Sequence, residues 1–352
     1  MRLDVFPITE RAHLLAQRLL NIFPDVVIHA PDDLKHGGLK AKVQAAFRER
    51  EAVLFISACG IAVRSIAPFL RGKHLDPAVV VMDERARFSI SLAGGHLGGA
   101  NALAEQIARI YKAELVITTA TDIAGLPCAE DVVKMSGLAV ENVIGIKPVN
   151  SAILEGSRVF IIDEDVRRLG SARVAFSRKG RAVFRFSSRF PVVRKPTDAF
   201  IYITPFVIRK DIPADALERT LVLRPREFVV GIGCMRGVSA AEIERAFFSV
   251  LREARISPLA VRRAATIDLK SNEKGLLRFA KKAGIELDFY SKEVLSGIKT
   301  PTKPSPVVLK IAGPSGVCES AALKSSGEKK LWIKKTICGR VTIALARAVS
   351  TS

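Results

Sequence analysis

The sequence predicts an α/β protein: an α/β domain with a mainly parallel sheet at each end of the chain, joined by a small β-rich middle domain. Three observations carry that expectation. Apolar runs of strand length alternate with stretches of helical period in both end regions. Glycine-rich turns stand where a strand hands over to a helix. Between residues 155 and 195 the chain turns basic, with eleven Lys and Arg against four Asp and Glu. Strands separated by helices pair in parallel, and the helices then cover both faces of the sheet. The domain limits are placed at 1–125, 126–225 and 226–352.

In order, Leu3–Ile8 reads as a strand, and a helix follows from Thr9 with Leu14, Leu15, Arg18 and Leu19 on one face. Val26–His29 is a second strand, Leu39–Arg50 a second helix, Ala52–Ser57 a buried strand and Gly60–Leu70 a helix entered by the tight turn Ala58-Cys59-Gly60. Strands Ala78–Met82 and Phe88–Leu92 flank a charged turn. Gly94-Gly95-His96-Leu97-Gly98-Gly99-Ala100-Asn101 then opens an amphipathic helix to about Lys112, before a strand at Leu115–Thr119.

In the middle domain, Arg181-Ala182-Val183-Phe184-Arg185-Phe186 alternates like an exposed antiparallel hairpin turned at Arg178-Lys179-Gly180-Arg181, and Val207–Arg226 reads as a linker. The last domain starts with strand Phe228–Ile232, a glycine turn, and a helix whose Ser239 and Glu242 have the spacing of a capping box. Further strands are expected around Ala265–Leu269, Glu286–Tyr290, Val307–Ile311, Leu331–Ile333 and Val341–Leu345, with helices at Asn272–Ala283 and after Gly316.

Composition narrows the function. The 352 residues carry 55 Lys and Arg against 35 Asp and Glu, a formal charge of +20, so the partner is expected to be anionic. Only 6% of residues are aromatic, which leaves few platforms for stacked bases, so nucleic acid ranks low; binding to it would have to fall steeply with salt. The five cysteines lie far apart with no C-x-x-C pair, so the spacing points to no metal site and no disulfide framework. A reducing cytoplasm is the expected location, and no apolar stretch has the length of a signal or a membrane span.

The glycine turns are where an anion can sit, since free N–H groups and the positive end of a helix dipole face out of each one. None has the form G-x-x-x-x-G-K-S/T or G-x-G-x-x-G. His96 is the acid–base candidate, because its side chain can project at the sheet's carboxyl edge and its intrinsic pKa suits proton transfer. The other histidines, His13, His29, His36 and His74, are expected on the surface. Asp83 and Asp122 follow apolar strands, where a carboxylate caps a turn or orients a base. Glu319 and Asp268 hold comparable positions in the last domain. Cys59, Cys234 and Cys318 sit at strand-to-helix junctions, where a helix dipole lowers a thiol pKa, although small buried packing residues fit them better.

The motifs Gly60-Ile61-Ala62-Val63-Arg64-Ser65-Ile66-Ala67-Pro68, Asp76-Pro77-Ala78-Val79-Val80-Val81-Met82-Asp83, Gly94 through Asn101 and Thr118-Thr119-Ala120-Thr121-Asp122 resemble, in order and spacing, the N-terminal domain of the CbiG family. Gly231-Ile232-Gly233-Cys234-Met235-Arg236-Gly237, Thr266-Ile267-Asp268-Leu269-Lys270 and Gly316-Val317-Cys318-Glu319-Ser320-Ala321-Ala322-Leu323 are similar to its C-terminal, CobE-like domain. The stretch Lys334–Thr342 departs from the family's Lys-Gln-Lys-rich turn.

That resemblance implies a cobalt-precorrin-5A hydrolase of cobalamin biosynthesis. The enzyme would open the ring A δ-lactone of a cobalt-tetrapyrrole and release acetaldehyde, acting on a carbon–carbon bond, with no cofactor beyond the cobalt its substrate carries. His96, Glu319 and Asp122 are the expected catalytic residues, with the N–H groups of Gly98 and Gly99 as oxyanion donors. Arg64, Asn101, Arg236 and Lys270, with those two glycines, are the expected substrate contacts. Ionised acetate and propionate arms explain the positive charge. A non-catalytic corrinoid carrier is the alternative, and a homodimer or contacts with other enzymes of the pathway stay open.

Overall fold

The computed structural model describes residues 1–72, 75–96, 98–163, 165, 183–192, 195–207, 212–302 and 316–348. The chain forms two compact units, Met1–Asp131 and Val132–Ser352. The second unit carries two separate sheets.

The first unit is built on β1 (Arg2–Pro7), β2 (Asp25–Ile28), β3 (Ala52–Ile56), β4 (Ala78–Met82), β5 (Phe88–Ala93) and β6 (Glu114–Val116). Their order is β2-β1-β3-β4-β5-β6, parallel throughout except for the β4–β5 hairpin. Successive side chains of a strand point to opposite faces, so β3 feeds two cores. Leu54 and Ile56 pack with helices Glu10–Ala16 and Ala100–Tyr111, while Val53 and Phe55 pack with helices Gly38–Glu49 and Cys59–Ile66.

Two local expectations need correction. Leu14 is 72% exposed, and the first helix buries Ala12 and Ala16 instead. At 100° per residue Leu14 lies on the far side from Ala12, and the two alanines let the helix approach the sheet closely. His29 is not a surface residue, since its ring stacks on Phe6 and its Nε2 lies 3.0 Å from Asp4 Oδ2. Asp83 caps the β4–β5 turn, accepting from the N–H groups of Arg85, Arg87 and Phe88 at 2.9 Å each.

In the second unit, β7 (Ala139–Val140), β8 (Val159–Asp163), β9 (Phe184–Ser187), β10 (Ala199–Ile203) and β11 (Thr220–Arg224) lie in the order β7-β11-β10-β8-β9. Among the described residues, Phe184–Ser187 pairs in parallel with β8, and not in the expected antiparallel hairpin. Its supposed turn at 178–181 lies outside the described residues. The expected linker contains β11, a strand whose five residues are all buried and which pairs in parallel with β10. Pro213 and Asp215 at the 3-10 turn Ala214–Arg219 before it and Pro225 after it hide the apolar run Leu221–Leu223 from a composition-based reading.

The last sheet comprises β12 (Phe228–Cys234), β13 (Val261–Ile267), β14 (Glu286–Tyr290), β15 (Ile333–Cys338) and β16 (Val341–Arg347), ordered β14-β13-β12-β16-β15. The first three are parallel, and β15–β16 form an antiparallel hairpin on the edge. Helix Ala240–Glu253 begins with the expected capping box between Ser239 and Glu242. The strand expected at Val307–Ile311 lies outside the described residues.

Helix Val317–Ser326 packs so closely over β12 that a Cβ built on Gly231 would lie 1.7 Å from the Cys318 carbonyl oxygen. Gly231→Ala therefore forces the helix away from the sheet. We expect a loss of about 1–3 kcal/mol or more, read as a lower urea midpoint; an unchanged midpoint would show that the helix yields freely.

Candidate functional site

In the first unit, the turn between β5 and helix Ala100–Tyr111 is folded tightly on itself. Gly94 and Gly99 adopt φ of +72° and +88°, and a Cβ on Gly98 would stand 2.7 Å from the Gly94 carbonyl oxygen. The N–H groups of Ala100 and Asn101 donate to the carbonyls of Gly94 and Gly95 at 3.0 Å. This loop presents His96 to a row of polar side chains. His96 Nε2 lies 3.2 Å from Asp122 Oδ2. Asn101 Nδ2 donates to that same oxygen at 2.9 Å, and Ser91 Oγ donates to Asn101 Oδ1 at 2.6 Å.

A ring held by a carboxylate that is itself held by an amide is a positioned acid–base group. The His96 side chain is 11% exposed and that of Asp122 38%, so the pair is reachable from solvent. Asn101, expected to touch substrate, is buried and occupied by Asp122, Ser91 and Thr119, which gives it a positioning part. The Gly99 N–H donates to the His96 carbonyl at 3.2 Å, which takes it away from the oxyanion role expected of it. Gly98 serves the close approach to Gly94. Arg64 is exposed on helix Cys59–Ile66, with its guanidinium near Gly60.

Two residues missed in the sequence stand beside His96. Cys128 is fully buried, and its backbone N–H donates to Asp131 Oδ2 at 2.8 Å. Burial pushes the Cys128 thiol far up, and the negative charges of Glu130 and Asp131 push it further. No local pattern marks these residues, because they follow Pro127 in a stretch that reads as a domain boundary.

The last domain holds a cavity of about 710 Å³. Arg236, Lys270, Lys335 and Arg340 line it, with no carboxylate among the lining residues. Met235, Leu269 and Ile337 add exposed apolar surface. The uncapped start of helix Val317–Ser326, at Gly316, opens onto it, and that end of a helix favours anions. Arg236 and Lys270 were expected as binding residues and are there together; Lys335 and Arg340 lie on the edge hairpin whose sequence departs from the family pattern.

Glu319 does not line this cavity. It is fully buried, and its carboxylate accepts from the Thr302 N–H at 3.1 Å, the Thr302 hydroxyl at 2.8 Å and the Lys335 N–H at 2.8 Å. Three such bonds make it a brace between the helix and the β15 strand, in place of the proton transfer expected of it. Two of the junction thiols fit the packing reading rather than the nucleophilic one. Burial raises Cys318 to about 11 and raises Cys234, outweighing the Thr342 hydrogen bond and Lys335 at Cys318 and the nearby Lys270 and Arg340 at Cys234.

Comparison with known proteins matches both ends of the chain to family models. One, described as Cobalamin synthesis G N-terminal, covers residues 41–122; the other, Cobalamin synthesis G C-terminus, covers residues 228–346. A relative from Priestia megaterium, named cobalt-precorrin-5A hydrolase, is 32% identical over 313 residues, covering 88% of this chain and 82% of its own length. The chain belongs to the CbiG family.

A second relative bearing that name, from Salmonella typhimurium, is 30% identical over 339 residues and covers 92% of each chain. Protein CobE of Sinorhizobium sp is 31% identical over 120 residues, 34% of this chain and 78% of its own. The His96–Asp122 pair falls within the matched N-terminal region, and the cavity within the matched C-terminal one. Cys128 and Asp131 lie beyond both. Among the described residues no helix is long and apolar enough to cross a membrane.

Proposed function

We propose that this chain hydrolyses cobalt-precorrin-5A in cobalamin biosynthesis, giving cobalt-precorrin-5B and acetaldehyde. The observation that carries this reading is 30–32% identity, over more than four-fifths of the chain, to two proteins named for that activity. The chemistry suits the residues. Water adds to the acyl carbon of the ring A δ-lactone as its proton passes to a base, and the acyl C–O bond breaks to leave a carboxylate and a free hydroxyl. That hydroxyl then loses its proton, the carbon–carbon bond to the macrocycle breaks, and the oxygen becomes the carbonyl of acetaldehyde. The macrocycle takes the electron pair and a proton.

His96, oriented by Asp122 and Asn101, is the proton acceptor in this reading. Arg236, Lys270, Lys335 and Arg340 grip the acetate and propionate arms, and Met235, Leu269 and Ile337 meet the flat apolar ring. A charge-assisted hydrogen bond contributes about 1.5–3 kcal/mol. Arg236→Ala is therefore expected to weaken substrate binding about ten- to a hundredfold, with most of the difference screened away at high salt; equal affinities by equilibrium titration would remove Arg236 from the binding surface.

Anaerobic incubation of the purified protein with cobalt-precorrin-5A should release acetaldehyde. A folded sample that binds the tetrapyrrole and releases none would replace hydrolysis with a carrier role.

A further inference from the structure

His96 and Cys128 are 32 positions apart, and the fold sets them side by side. A ring nitrogen of His96, the Cys128 Sγ and a carboxylate oxygen of Asp131 all lie within 4.8 Å of one another. Around a tetrahedral zinc ion with bonds of about 2.0–2.3 Å, ligand atoms stand roughly 3.3–3.8 Å apart, so closing on a cation needs shifts of about an ångström. Imidazole, thiolate and carboxylate are all donors that zinc takes.

Two further observations point to a ligand set beyond simple proximity. Asp122 holds the His96 ring, the carboxylate–histidine pairing that orients metal-ligating imidazoles. Cys128 stands directly before helix Ala129–Ser136 and Asp131 in its first turn, and the 2.8 Å bond from the Cys128 N–H fixes these two donors to each other. Cys128 is buried while His96 and Asp131 are partly exposed, so the cluster has an inner wall and a side open to water.

We propose that the first unit binds a zinc-like divalent cation through His96, Cys128 and Asp131, with a water molecule in the remaining position. Binding itself asks nothing of the substrate; use of the cation in opening the lactone rests on the function proposed above. In that use the cation lowers the pKa of its water toward neutrality. The water oxygen attacks the acyl carbon, its proton goes to the Asp122 carboxylate, and the acyl C–O bond breaks with its electron pair on the leaving oxygen, which takes up that proton. His96 then acts as a ligand, and Asp122 is the base.

The test is a titration of chelator-stripped, full-length protein with Co2+. One equivalent should produce a thiolate-to-cobalt charge-transfer band and the visible bands of a tetrahedral ion, and Zn2+ should abolish both. Cys128→Ser should remove the charge-transfer band, Asp131→Asn should weaken binding at least about tenfold, and Cys59→Ser should change neither. Absence of the band, or a full band in the Cys128→Ser protein, overturns the proposal. Should Cys128→Ser fail to fold by circular dichroism, Asp131→Asn and His96→Gln carry the same test, and binding equal to the parent in both overturns the site.

Acetaldehyde release from stripped and reloaded protein separates this proposal from the hydrolase reading. A reloaded site without turnover sinks hydrolysis and leaves the metal site standing; full turnover by stripped protein leaves hydrolysis and overturns the part given to the cation.

Discussion

Replacing His96 with Ala is expected to lower turnover of cobalt-precorrin-5A about 10²–10⁴-fold, the range set by loss of a positioned general acid–base group, while tetrapyrrole binding is largely kept. The imidazole stands 3.2 Å from Asp122, whose orientation depends in turn on Asn101 and Ser91. Either role for the ring, base or metal ligand, is lost with it. A proton-transfer group acts in the transition state, so the effect should fall on kcat more than on KM. Asn101→Ala leaves the ring and its carboxylate in place but frees Asp122 to turn, so its loss should be smaller. Single-turnover measurement of acetaldehyde release checks both, and unchanged turnover in the His96→Ala protein removes this residue from the active site.

Arg224→Ala should destabilise the second unit by about 1–3 kcal/mol, the cost of leaving the acceptors around a buried guanidinium without their donor, since the Glu141 side chain left behind is itself 37% exposed. Arg224 is 1% exposed. It donates to both oxygens of Glu141 and to the carbonyls of Thr204 and Phe206, and Ser257 Oγ donates to Glu141 at 3.1 Å. Since Glu141, Thr204 and Arg224 belong to the middle sheet's surroundings and Ser257 precedes β13, this cluster ties the two sheets of the unit together. The backbone joins them again where Ser257 N–H donates to the Pro205 carbonyl at 2.9 Å. Urea unfolding measures the loss; a loss under about 1 kcal/mol would class the pair with exposed salt bridges. Glu141→Gln with Arg224→Met should recover part of it.

The same cluster sets an acid dependence. Burial raises the Glu141 carboxyl, but the Arg224 hydrogen bonds and charge, with Ser257, outweigh it and hold the group below its usual value. A carboxylate with a lowered folded pKa binds fewer protons folded than unfolded, so its contribution is complete above the unfolded value, near about 4.3, and is lost as pH falls through the folded value. Glu141→Gln should flatten this part of the stability–pH curve at acid pH, and an unaltered curve would assign the acid limb to other groups.

His96 stood out in the sequence because a histidine inside Gly94–Asn101 is unusual chemistry on a glycine turn, and Asp122 because a carboxylate follows an apolar strand; the fold places Asp122 in helix Ala120–Ile123, 3.2 Å from His96. Arg236 and Lys270 were found through motifs whose place in the chain was already meaningful. Cys128, Asp131, Lys335 and Arg340 had no such mark. Their significance comes from neighbours far along the chain, and a single sequence records spacing, not proximity. Glu319 shows the reverse error, since its motif looked catalytic but the fold closes Thr302 and Lys335 around it.

By itself the sequence determined the α/β class, most strands of the two end domains, the capping box at Ser239 and the excess of positive charge, because periodicity, capping and composition are local properties. Only the tertiary structure decided that β9 pairs in parallel, that β11 is a buried strand and not a linker, that four cations line one cavity, and that a thiol and a carboxylate converge on His96. These depend on contacts between distant segments, whose geometry is set when apolar faces pack, and no local pattern along the chain encodes them.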